Sequence, residues 1–187
     1  MRSPSRPAGK LSAKEICILA QMGALLFATK AALSSIPNIN LNAVILILTT
    51  VFFGWRALCS VLIYIMLEGL VYGGNSIFLW WFSYLYIWPL LVAVCMLFRK
   101  NDSALLWAVI AAVFGLVFGP LMYLEWFAIN GGWEGFFAMW VAGIPYDLTH
   151  CGGNFVFTLA LYRPLYRVME KYLGTPAVHA CQISEET

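Results

Sequence analysis

From residue 14 to residue 162 the sequence is a succession of apolar runs, roughly 14–35, 41–54, 56–73, 77–98, 104–126 and 136–162, separated by short polar breaks. A helix needs about 20 mostly apolar residues to cross the hydrocarbon core of a bilayer. With 62% hydrophobic and 11% charged residues and a mean hydropathy of +0.81, a 187-residue chain has too little polar surface for a soluble domain. The expected fold is therefore all-α: a polytopic membrane protein with six transmembrane helices. Pro37 ends the first helix, and Gly73 to Ser76, Asn101 to Ser103 and Asn130 to Gly132 punctuate the others. The second run is short, so it is expected to tilt little or to use its polar entry, Asn38 to Asn42, as a half-buried loop.

Short loops rich in Lys and Arg stay on the cytoplasmic side. Arg2, Arg6, Lys10 and Lys14 precede the first run, Arg56 lies between the second and third, Arg99 and Lys100 follow the fourth, and Arg163, Arg167 and Lys171 follow the sixth. The alternate loops, 36–42, 73–76 and 127–135, carry no Lys or Arg. Both termini are thus expected in the cytoplasm, with residues 1–13 a basic tail, 14–173 a six-helix membrane domain and 174–187 a second tail. No cleavage site follows a compact apolar core, so helix 1 is expected to persist in the mature protein. The net charge of +2 is spread over these loops, which argues for topology determination and against nucleic-acid binding. Cys17, Cys59, Cys95, Cys151 and Cys181 lack metal-ligand spacing and read as reduced packing residues. There is one domain, with no internal duplication.

Within the first run alanine recurs every fourth residue, at Ala20, Ala24, Ala28 and Ala32. Such positions stay on one helix face and let another helix approach the backbone closely, either inside the same bundle or on a separate subunit. Lys30 lies about 140° around the helix from the centre of that stripe at 100° per residue. The economical arrangement turns Lys30 toward the interior and the alanines toward a partner.

Ionisable groups inside spans are costly, and each is a functional candidate by default. Besides Lys30 they are Glu68, Asp147 and His150. Gly143, Asp147, His150 and Asn154 form one polar stripe on helix 6, where Pro145 can kink or loosen the preceding turn. Tyr64, Glu68 and Tyr72 share a face of helix 3, and Trp81, Tyr84 and Trp88 a face of helix 4. Together they suit an aromatic-walled pocket with a few polar anchors in the outer half of the bundle. The bland alternatives are an interfacial aromatic belt, a structural ion pair of Lys30 with Glu68 or Asp147, and an imidazole of His150 satisfied by Asp147 or a neighbouring helix. Glu125, Trp126, Asn130, Trp133 and Glu134, around the loop before helix 6, suit either a lid or interfacial anchoring.

Length, six spans, the stripe Ala20-Gln-Met-Gly-Ala24-Leu-Leu-Phe-Ala28-Thr-Lys-Ala-Ala32, and the stretches Leu67 to Gly73 and Pro145 to His150 jointly resemble the substrate-binding S component of energy-coupling factor transporters. The resemblance covers about residues 11–173. It implies a multi-pass protein of a bacterial cell membrane that is not an enzyme and holds no cofactor. Such a protein captures a vitamin or related micronutrient in an outward-facing pocket, docks through the helix 1 alanines on a transmembrane coupling subunit, and tilts to release its ligand. ATP is hydrolysed by two cytoplasmic partner subunits, in keeping with the absence of any Gly-x-x-x-x-Gly-Lys-Ser/Thr loop in this sequence. The expected ligand-binding residues are Lys30, Glu68, Tyr72, Trp81, Tyr84, Trp88, Asp147, His150 and Asn154. The first rival is a secondary transporter with Glu68, Asp147 and His150 as a proton relay. A membrane enzyme with Asp147 orienting His150 is weaker, since no nucleophile motif or metal cluster accompanies the pair.

Overall fold

The computed structural model describes residues 11–36, 39–72, 77–130 and 132–176; the side chains of residues 77–82, 126 and 128–130 lie outside the description. The described residues are all-helical: α1 (Ala13–Ala32), α2 (Asn42–Phe53), α3 (Ala57–Tyr72), α4 (Ile77–Phe98), α5 (Ala104–Asn130) and α6 (Gly132–Leu173), with a 3-10 turn at Gly54–Arg56. By length and composition three stretches among the described residues can cross a membrane, Ala13–Ala32, Asn42–Tyr72 and Ala104–Glu125, and Ser83–Phe98 is a shorter apolar helix.

The short second run is explained by its place. α2 touches all five other helices, and every residue from Asn42 to Val51 is buried. A helix that is apolar all round belongs in the middle of a bundle. Around it the neighbours run α1, α3, α4, α5, α6. The chain leaves α2 through Gly54, whose φ of +61° is the left-handed backbone that glycine takes without a Cβ clash. The guanidinium of Arg99 fills the space where a Gly54 side chain would stand, and it donates to the carbonyls of Val51 (2.9 Å) and Phe52 (3.3 Å) that the helix end leaves unpaired. Ser12 and Glu15 form a capping box at the start of α1, and Glu15 also accepts from Arg56 at 2.7 Å, tying that start to the α2–α3 turn.

α1 presents its two faces differently. Leu19, Gly23 and Leu26 are buried against α3, where a Cβ on Gly23 would meet the Ser60 carbonyl and the Ile63 side chain, and Ser60 Oγ donates to the Leu19 carbonyl at 2.7 Å. Lys30 continues this inward face. Ala24, Ala28 and Ala32 are exposed and Ala20 is half-buried.

α6 corrects two expectations. The loop expected at 127–135, with Trp133 and Glu134, is almost entirely helical: α5 runs to Asn130 and α6 resumes at Gly132. The 42 residues of α6, continuous through Pro145 and Pro164, extend about 63 Å at 1.5 Å per residue, roughly twice the hydrocarbon thickness. The helix thus starts before and ends after the expected span of 136–162.

Candidate functional site

α5 and α6 are antiparallel, and glycines set their spacing. On α5, Gly115 and Gly119 form a small-xxx-small pair. A Cβ on Gly115 would meet the His150 backbone and Asn154 Nδ2, one on Gly119 would fall on the Asp147 carboxylate, and one on Gly143 would fall on the Tyr123 hydroxyl. The polar stripe of α6 is thus laid along the groove of α5. Its lower part is consumed there: Asn154 Nδ2 donates to the Ala111 carbonyl at 3.1 Å. Asn154 is a helix–helix fastener and does not line the cavity described next, contrary to its expected place in the ligand site.

At the end of the bundle away from Lys14, Arg56, Arg99 and Arg163, an open cavity of about 450 Å³ is lined by α1, α3, α4, α5, α6 and the α1–α2 connection. That volume falls within the range of small-molecule sites. Of the expected ligand residues it brings together Lys30, Glu68, Tyr72, Tyr84, Trp88, Asp147 and His150. The side chain of Trp81 lies outside the described residues. The sequence reading missed Tyr123 and Phe118 of α5 and Asn40 before α2 as wall residues, and placed Tyr64 on the right face without assigning it to the site. The Gly115/Gly119 pair was the signal that would have found the α5 wall.

The charged part of the wall is asymmetric. Lys30 Nζ is 2.5 Å from Glu68 Oε2, 3.1 Å from the Tyr84 hydroxyl and 5.2 Å from that ring's centroid. Glu68 is 4% exposed, Lys30 26%. Lys30 therefore pairs with Glu68 and not with Asp147. Asp147, 5% exposed, forms no ion pair among the described residues, and its Oδ2 has no hydrogen-bond partner. Glu68 Oε1 and Trp88 Nε1 are likewise buried without a partner. His150 does not bond to Asp147: its Nε2 is 3.5 Å from Asn40 Nδ2, a contact satisfied by the neutral tautomer protonated on Nδ1. Asn40 Oδ1 in turn accepts from the Asn42 backbone N–H at 3.1 Å, so the start of α2 and the wall of α6 are held together.

Aromatic rings build the floor. Tyr64 stacks on Tyr84 with centroids 6.1 Å apart, Trp88 stands edge-on to Tyr84 at 5.9 Å, and Phe118 lies 5.8 Å from Trp88 and 5.0 Å from the His150 ring. Within two turns toward the basic end, Val61, Leu91, Val92 and Ala111 are fully buried, so the cavity closes on packed core. Glu125, expected in the outer loop, is buried on α5 and accepts from Ser83 Oγ at 2.5 Å. Among the described residues no group of three or more His, Cys, Asp or Glu side chains could hold a metal. No protein-family model, no curated protein and no solved structure matches this chain.

Proposed function

We propose that this protein is the ligand-capturing membrane subunit of an ATP-driven importer of the energy-coupling factor type. In this reading it has six spans with both termini in the cytoplasm and binds a vitamin-like small molecule from outside the cell. The observation that carries the reading is a cavity with buried, unpartnered polar atoms that opens at the end poor in Lys and Arg and closes on packed core. By the charge bias of short loops that end faces away from the cytoplasm. A ligand bound there has no route through the bundle, so release requires movement of the whole subunit against a partner.

The same closure argues against a proton relay. Glu68, Asp147 and His150 share the upper wall, but the next polar group on α6, Asn154, is engaged with the Ala111 carbonyl. The free face of Ala24, Ala28 and Ala32 supports docking on a coupling subunit, because interfaces between membrane helices favour small residues. The cytoplasmic ATPases act through that subunit.

The test separates capture from coupling. Native mass spectrometry of the purified protein identifies the bound molecule, and Glu68→Gln or Asp147→Asn is expected to weaken its binding by about 1–3 kcal/mol each. Ala24→Leu with Ala28→Leu is expected to leave binding intact and abolish cellular uptake. Normal uptake by that double variant would make the alanine face ordinary surface, and unchanged affinity in both carboxylate variants would remove them from the site.

A further inference from the structure

We propose that the ligand of this cavity is a planar, aromatic or heteroaromatic cation carrying N–H donors, bound with its positive charge against Asp147; the proposal rests on the capture reading above. The charge accounting of this end of the molecule points there. Glu68, Glu125, Glu134 and Asp147 lie on its helices against the single ammonium of Lys30. The residues outside the description at this end, 37–38, 73–76 and 131, and the side chains of 77–82, 126 and 128–130, add no charged residue. Lys30 is committed to Glu68, which leaves the buried carboxylate of Asp147, a wall residue of the cavity packed against Gly119, without an ion-pair partner among the described residues.

A buried carboxylate is costly unless a cation or several hydrogen bonds compensate it. An anionic ligand would deepen that cost, whereas a cation removes it through a charge-assisted hydrogen bond to the carboxylate. The second wall agrees, since the faces of Trp88 and Phe118 are negative and attract both a flat ring and a cation. Glu134, about 20 Å before Asp147 along α6, extends the negative field toward the rim and favours encounter with cations.

The experiment uses three probes on one bicyclic frame, titrated into the full-length protein in detergent and followed by tryptophan fluorescence: 4-aminoquinoline, a ring cation at neutral pH; 4-quinolone, which is neutral; and quinoline-4-carboxylate. The cation is expected to bind more tightly than the neutral probe by about tenfold or more, with the anion weakest. Asp147→Asn, nearly isosteric, should bring cation and neutral probe within about threefold. Glu68→Gln, which leaves the Lys30 ammonium without its carboxylate, should improve the anion alone. Saturable binding of the neutral or anionic probe as tight as that of the cation overturns the charge assignment and leaves the capture reading standing. No saturable binding of any of the three overturns the planar-cation class, while capture is judged separately by the molecule that mass spectrometry detects and by uptake.

Discussion

Gly119→Ala is expected to reduce ligand affinity by up to about a hundredfold and to lower stability by about 1–3 kcal/mol. The added Cβ falls on the carboxylate of Asp147, so either α6 moves away from α5 or Asp147 abandons the cavity wall. Separating the helices loosens a seam in which Gly115 and Gly143 are also closely packed against His150 and Tyr123, and this accounts for the stability loss. Rotating Asp147 sacrifices a buried polar anchor, and this accounts for the affinity loss. Gly152→Ala is the matched control: nothing lies within 4 Å of its Cβ, and alanine is the better helix former by about 1 kcal/mol, so stability should hold or rise. Thermal unfolding in detergent and a binding titration read both effects. Equal behaviour of the two variants would remove the α5 glycines from the architecture of the site.

Lys30→Met is expected to destabilise the protein by about 3 kcal/mol, more than Glu68→Met does. The asymmetry follows from burial. Without the ammonium, the 4% exposed Glu68 carboxylate is left charged and unpaired; without the carboxylate, the 26% exposed ammonium can rise along its flexible stem toward the rim. The double variant Lys30→Met with Glu68→Met should recover most of the loss, since replacing a whole buried ion pair with apolar groups is often neutral. A double-mutant cycle on thermal stability measures the coupling. Additive losses would mean that the 2.5 Å pair does not hold α1 to α3.

The helix positions were readable because apolar run length alone sets them: the second run, expected at 41–54, is α2 at Asn42–Phe53, and the fourth, expected at 77–98, is α4 at Ile77–Phe98. The inward turn of Lys30 followed from helical geometry, since an ammonium opposite a small-residue stripe has one low-cost place to go. Three features were not readable from periodicity. Asn154 shares the face of Asp147 and His150, and only the approach of α5 decides which members of that stripe meet a cavity and which meet a backbone carbonyl. The aromatic side chains of α5 are spread through a run that is apolar all round, so nothing in their spacing picks out Phe118 and Tyr123. The extent of α6 was underestimated at both ends: Asn130 and Gly132 mark the junction of α5 and α6 itself, with helix on either side, and past residue 162 the helix runs on through Pro164, which local propensity disfavours.

Capture from outside the cell requires the mouth of the cavity to face the external solution. Ser34, exposed and on the cavity wall, and Asn101, at the opposite end, can each be replaced by cysteine in a background lacking Cys17, Cys59, Cys95, Cys151 and Cys181. In intact cells a membrane-impermeant maleimide is expected to label Ser34→Cys and to reach Asn101→Cys only after permeabilisation. The reverse pattern would place the cavity on the cytoplasmic side and contradict an importer that receives its ligand there.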